Sequence, residues 1–126
     1  MSKSFRTSKS NKVIVGELTR LLSLGFENHI ARIAIIYSIK KWEKSVDIIL
    51  RDSKGKEYSS QILFGEYDYV YKVLIGIKHE ISINDPKISQ LIKFHLDRGL
   101  ELLAAELLED DSDIYSLEEF LEKYCL

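Results

Sequence analysis

LGFENHIARIAIIYSI, residues 24–39, is the stretch on which the fold turns. From Ile30 to Ile39 every position is apolar except Arg32 and Ser38, and the helix this predicts, about Glu27 to Lys41, is apolar on all sides. Such a helix demands burial in the core, against another chain, or both. Its first turn nevertheless carries Glu27, Asn28 and His29. Two readings fit. In one, Glu27 or Asn28 caps the helix and Arg32 forms a structural ion pair. In the other, the free N–H groups and positive dipole end hold a phosphate, assisted by Asn28 and His29, with Arg32 one turn further along.

Upstream, Val13, Ile14, Val15, Leu18, Leu21, Leu22 and Leu24 form an amphipathic stripe. Ser10 or Asn11 is its expected N-cap, and Gly25 stands where a helix end favours positive φ. Residues 1–12, MSKSFRTSKSNK, lack an apolar period and read as an arm or a short strand around Lys3–Ser8. Strand, amphipathic helix, glycine turn and apolar helix follow in ribbon-helix-helix order. In that module two chains pair their strands into a ribbon that enters the DNA major groove.

Downstream, Val46–Leu50 is a β-capable run, followed by Asp52-Ser53-Lys54-Gly55-Lys56, whose residues are turn formers. That turn is expected to be exposed and mobile, with two lysines at its tip. Residues 62–80 predict a third helix with Gly65 near its start, although Tyr67, Tyr69, Tyr71 and Val73 also alternate as a strand would. Asp85-Pro86 opens a fourth helix running to about Leu108, with Ile88, Leu91, Ile92, His95, Leu96, Leu100, Leu103 and Leu107 inward. Gly99 within it calls for close approach of another helix. After an acidic EDDSD link, Ser116-Leu117-Glu118-Glu119 is a capping box for a short C-terminal helix. The expectation is one mainly α-helical domain over residues 1–126, with a short N-terminal strand and a ribbon-helix-helix-like N-terminal third.

The 126 residues carry a net charge of −2, which conceals a strong asymmetry. Residues 1–56 hold 12 Lys and Arg against 5 Asp and Glu, whereas residues 57–126 hold 6 against 15. A basic segment attracts polyanions such as nucleic acid through counterion release. Equally, the basic half of one subunit can bind the acidic half of the same or a neighbouring subunit. The single cysteine, Cys125, excludes an internal disulfide and a CxxC zinc site. Neither an export signal nor an apolar run of about 18 residues is present, so a cytoplasmic protein with no membrane partner is expected.

A search for chemistry returns little. The sequence has no GxxxxGK[ST], GxGxxG, GxSxG or HExxH. His79-Glu80 and His95-x-Asp97 are the close His–carboxylate pairs, and residues one or two apart on a helix point in different directions. Asp110 to Asp113 lack calcium-loop spacing. No catalytic residue, cofactor or metal is expected.

Four segments carry a resemblance: FRTS (5–8), LTRLLSLGFENHIARIAIIYSI (18–39), DSKGKEYSSQILFG (52–65) and HLDRGLELL (95–103). In their order and spacing they resemble DndE, the small subunit of the bacterial DNA phosphorothioation system. The acidic tail after Leu108 has no counterpart in the resemblance. The resemblance implies a non-catalytic, DNA-binding part of a machine that replaces a non-bridging backbone oxygen by sulfur. A cysteine desulfurase, an iron–sulfur and nucleotide-using subunit and an ATPase would do the chemistry. It further implies homo-oligomers, tetramers in particular, and binding of duplex DNA, including nicked duplex.

Arg6, Lys54 and Lys56 lie in the matched segments and inherit the DNA-binding role. Lys9 and Lys12 join them by charge and proximity, and Asn28 by its place at a helix N-terminus. Helix two and parts of helix three are the expected assembly surface. Two rivals stand beside this reading: a ribbon-helix-helix repressor reading an operator through Phe5 and Thr7, and a scaffold whose basic half binds acidic protein.

Overall fold

A computed structural model describes residues 4–22, 25 and 27–108. The chain opens with strand β1 (Ser4–Arg6), helix α1 (Lys9–Leu21) and helix α2 (Glu27–Lys41). Strand β2 (Glu57–Ser59) follows, then helix α3 (Ser60–Phe64), a 3₁₀ turn (Gly65–Tyr67), helix α4 (Asp68–His79) and helix α5 (Lys87–Leu107). The mainly α expectation with a short N-terminal strand holds.

α2 matches its expected bounds and is the central helix. Ile30, Ala31, Ala34, Ile35 and Ser38 are fully buried, and Tyr37 and Ile39 nearly so. α1, α3, α4 and α5 all pack on it. Its apolar surface is therefore largely covered within the chain, with Ile36 as the main exposed exception. α5 supplies the opposing wall with Ile88, Leu91, Ile92, His95, Leu96, Leu100, Leu103 and Leu107, all buried as expected. The two helices touch at Gly99, where an added Cβ would lie 1.9 Å from the Ala34 carbonyl oxygen. Only glycine permits that approach.

β1 pairs antiparallel with β2 of the same chain, in the register Ser4–Ser59, Phe5–Tyr58, Arg6–Glu57. Alternation turns Phe5 and Tyr58 inward, and Phe5 meets Phe64 edge-on at 5.9 Å between ring centroids. In a ribbon-helix-helix module the strand partner comes from a second chain; here one comes from residues 57–59. Two expectations are corrected nearby. Val46–Leu50 forms no strand, and the β partner lies beyond the turn at Glu57–Ser59. The apolar run Ile48-Ile49-Leu50 stays exposed instead.

α1 starts at Lys9, four residues before its apolar stripe, because Ser8 takes the cap position with extended backbone and accepts the Asn11 N–H at 3.1 Å. The expected caps, Ser10 and Asn11, are inside the helix. Residues 60–79 do not form one helix. Gly65 adopts φ +57°, ending α3 after Phe64, and the 3₁₀ turn reorients the chain into α4. The alternating tyrosines lie in that turn and in helix, not in a strand. Gly25 has φ +80°, as its place after α1 requires. The expected C-terminal helix lies outside the described residues. Among those residues no helix is long and apolar enough to cross a membrane.

Candidate nucleic-acid interface

The turn at residues 52–56 is the piece that assembles the basic surface. Asp52 accepts the Lys9 N–H at 2.9 Å and the Lys54 N–H at 3.0 Å. Those two bonds hold its carboxyl below the usual carboxylate range. Thr7 donates its N–H to the Lys56 carbonyl, accepts the Gly55 N–H on its own carbonyl, and accepts the Lys56 N–H on its hydroxyl, each at 2.9 Å. A Cβ at Gly55 would stand 2.1 Å from the Ser8 carbonyl oxygen. The expected mobile tip is thus a pinned turn, and glycine is needed because the β1–α1 corner lies against it.

Beneath the corner is a buried polar network. Asp97, fully buried, accepts the Ser8 N–H at 2.9 Å, the Asn11 side-chain amide at 2.8 Å and the Lys93 ammonium at 2.7 Å. Lys93 also donates to the carbonyls of Arg6 and Asp52, both at 2.9 Å. Asn11 reaches on to Glu101 at 3.0 Å, and Glu101 receives two bonds from Arg51. One charged pair on α5 therefore ties together β1, α1 and the turn.

Above this base lies a groove of about 630 Å³, lined by Lys9, Lys12, Val13, Arg20 and Lys54 with Gly16 and Glu17. The α1 members sit at helical spacing on one face. Lys9, Lys12, Arg20 and Lys54 form no ion pair among the described residues. Among the described residues that line the groove, Glu17 is the one acid. Asp52 accepts backbone N–H groups from the lysines it positions and stays beside them as a negative charge. Arg20 was not among the sequence candidates. With α1 begun at Lys9, Arg20 falls on the same face as Lys9 and Lys12, a periodicity that a later helix start conceals.

The other candidates fall elsewhere. Lys56 and Asn28 share a second hollow of about 290 Å³ with Glu27, Glu57 and Tyr58. Lys56 faces Glu27 at 3.5 Å, so its charge is partly answered in the chain. The Tyr58 hydroxyl is buried without a hydrogen-bond partner among the described residues, and burial, with the nearby Glu27 charge, pushes its pKa up. Gly16 of the groove lies close to Glu27 of the second hollow: an added Cβ would stand 3.5 Å from its carboxylate. Arg6 is ion-paired to Glu57 across the strands. Arg32 donates to the carbonyls of Leu63 and Ile62 at the end of α3, which answers the question raised by the polar start of α2 for that residue: its bonds are structural, and to carbonyls instead of an acid.

The histidines do not pair with their sequence neighbours. Glu80 goes to Lys44 and Asp97 to Lys93, while His79 and His95 meet each other, Nε2 to Nε2, at 2.8 Å. Arg98 donates to the Ser38 hydroxyl at 2.9 Å, leaving Ser38 to donate to His95 Nδ1 at 2.8 Å. That places the His95 proton on Nε2, aimed at His79. Burial, then His79 and Arg98, press the His95 pKa down to about 3; burial and Lys78 lower that of His79. Both rings are neutral at pH 7. Among the described residues no three His, Cys, Asp or Glu side chains converge as a metal site would require.

Compared with known families, the chain matches the family model of DNA sulphur modification protein DndE over residues 4–110. It belongs to the DndE family. No curated protein matches the chain. The DndE match spans β1 through α5, including the turn, the groove and the buried network beneath them, and places the protein in DNA sulfur modification. It stops before most of the acidic tail.

Proposed function

We propose that this DndE-family protein is the non-catalytic DNA-binding component of its modification machinery, gripping duplex DNA by the backbone. The observation that carries this reading is the groove: Lys9, Lys12, Arg20 and Lys54 converge from two chain segments with no ion pair among the described residues. Lysine on a fixed turn and along a helix suits the diffuse potential of phosphates and gives no planar fork for bidentate base reading. The in-chain pairing of β1 also leaves a sequence-reading ribbon without its usual construction. Asn28, Lys56 and Arg6 serve as peripheral contacts, since their surroundings include Glu27 and Glu57. The protein acts in the cytoplasm, with the sulfur-transferring subunits as partners and no cofactor of its own.

Assembly into a homo-oligomer, a tetramer in the family pattern, belongs to the same proposal, but with a different surface. α2 is consumed by the core; beside the Ile48–Leu50 run, the described residues leave large apolar side chains exposed on α3, the 3₁₀ turn and α4, where Ile62 is 63%, Tyr69 63% and Ile77 72% exposed. Exposed apolar residues clustered this way mark interaction sites.

Binding of a labelled duplex, competed by unrelated duplex at two salt concentrations, tests the reading. A backbone binder treats both duplexes alike and loses affinity steeply with salt. Retention of one sequence against competitor by a factor of about 10³ or more would identify a repressor instead. No binding to any duplex would leave a scaffold. Metal-dependent turnover abolished by one point substitution would refute the non-catalytic role, and a folded monomer in sedimentation at micromolar concentration would refute the oligomer.

A further inference from the structure

The β-capable run that forms no strand is also the most exposed apolar stretch of consecutive residues in the described fold: Ile48 is 45%, Ile49 65% and Leu50 46% exposed. Residues 47–52 pass without helix, turn or bend. Among the described residues the main-chain N–H and carbonyl groups of Ile48 and Leu50 form no hydrogen bond, whereas the Ile49 carbonyl accepts Arg51 Nη1 at 2.6 Å. β1 and β2 pair with each other in a two-stranded sheet, so neither reaches this run. An apolar, β-branched stretch with a row of unpaired main-chain groups is a template for a second strand.

We infer that a second copy of this chain lays its own 47–51 run antiparallel to this one, with Ile49 facing Ile49, Ile48 facing Leu50 and Asp47 facing Arg51. The sequence Asp47-Ile48-Ile49-Leu50-Arg51 is self-complementary on reversal, carrying an acid at one end, a base at the other and apolar residues between. Charge selects the register. A slip of one residue sets Asp47 against Leu50 or against Asp52, and the second of these repels. The main chain selects the same register. Because its carbonyl is taken by Arg51, Ile49 suits the position of an antiparallel ladder that exchanges no bonds, and Ile48 and Leu50 then exchange four across the two-fold axis. Those are the groups left without partners. Arg51 spends three of its five N–H donors inside the chain, on Glu101 and Ile49, and two remain for the Asp47 carboxylate, which forms no ion pair among the described residues. The contact is isologous, as a two-fold interface must be. A tetramer with two-fold axes needs two separate contacts of that kind; the α3–α4 face supplies one and this run the other.

This inference rests on the proposed homo-oligomer and names one of its surfaces. The test uses the full chain with Cys125→Ser, which removes the single native thiol, and adds Ile48→Cys, Ile49→Cys or Leu50→Cys one at a time. All three sites are exposed, and the urea midpoint of each variant checks that the fold is kept. Facing residues that exchange no bonds lie about 4.5 Å apart at Cα, within reach of a disulfide. Under oxidised glutathione, Ile49→Cys is expected to give a linked dimer at least about tenfold faster than Ile48→Cys or Leu50→Cys, whose thiols face a different residue. Sedimentation of Ile49→Lys, which sets two ammonium groups against each other at the axis, is expected to show a tetramer reduced to a dimer at micromolar concentration. Equal linking rates at the three positions, or an oligomer unmoved by Ile49→Lys, would overturn the pairing and leave the α3–α4 face standing. A wild-type dimer that links at position 49 would support the pairing and overturn the tetramer. A wild-type monomer would sink the oligomer reading and the pairing with it.

Discussion

α5 supports two polar clusters that treat charge in opposite ways. At Lys93 and Asp97 it buries a full ion pair, completed by a backbone N–H, an amide and two carbonyls, and the cations above that base remain outward, with no ion pair among the described residues. At His95 it buries a titratable ring and strips the charge away, through contact with His79 and Ser38. A buried charge persists only when fully satisfied by partners; otherwise the group shifts its pKa and neutralises. The first cluster builds a platform for charge. The second joins α2, α4 and α5 through rings that carry no charge, with the Arg98 guanidinium anchored on Ser38 beside them.

The sharpest way to break the contrast is Asp97→Ala. It removes the counter-charge of the Lys93 ammonium, which keeps only its two carbonyls, and leaves the Ser8 N–H without its acceptor, and a loss of roughly 3–5 kcal/mol is expected by urea unfolding. Asp97→Asn, keeping one acceptor, should cost less. A loss below about 1 kcal/mol for Asp97→Ala would show that water already enters the cluster.

Acidification probes the other side. The folded pKa of His95 is about 3 against 6.5 unfolded, so the unfolded state binds the extra proton between those values. Stability is then fully present above pH 6.5 and falls as pH drops toward 3, by up to about 1.4 kcal/mol per pH unit for one group. His79, shifted the same way, adds to the fall. The urea midpoint followed from pH 7 to 4.5 should decline, and His95→Leu should flatten the decline although it weakens the protein at pH 7. An unaltered slope in the variant would assign the acid loss to the carboxylates, of which Asp52 has the same sign.

Gly55→Ala is expected to cost about 1–3 kcal/mol, since its Cβ would meet backbone at 2.1 Å. It should also weaken duplex binding by displacing Lys54, giving a fold defect with a functional echo that Asp97 shares and the histidines do not. Smallest in stability are the two lysines. Lys54→Ala and Lys56→Ala should each change unfolding by under about 0.5 kcal/mol. Lys54→Ala should reduce the slope of log affinity against log salt by up to about 0.9, and Lys56→Ala by less, because Glu27 already faces it. Equal effects would show that the Glu27 pairing opens on binding.

Much of this was legible in the sequence where periodicity governs. α2 and the inward face of α5 follow from apolar spacing, and Gly99 announced its close contact because glycine in a helix has a cost that packing must offset. Long-range pairing was not legible. Nothing local marks Asp52 as the acceptor for Lys9, or His79 as the partner of His95, 16 residues on. The start of α1 was missed because a single serine cap outweighed the apolar pattern, and with it went the alignment of Arg20. Lys9 and Lys12, named by charge and proximity, and Lys54, named through the resemblance, line one groove; Arg6 and Lys56, named through the same resemblance, and Asn28, named for its helix N-terminus, stand among acids.

The indole of Trp42 stacks on His79 at 4.1 Å between ring centroids, and it is the chain's single tryptophan. Intrinsic fluorescence in this protein is therefore a local gauge of the histidine cluster, tuned by whether the imidazole beneath the indole carries a proton. DNA titrations followed by that signal would register only changes transmitted to the α2–α4 junction. A silent tryptophan during binding would mean that the groove fills without the core taking notice.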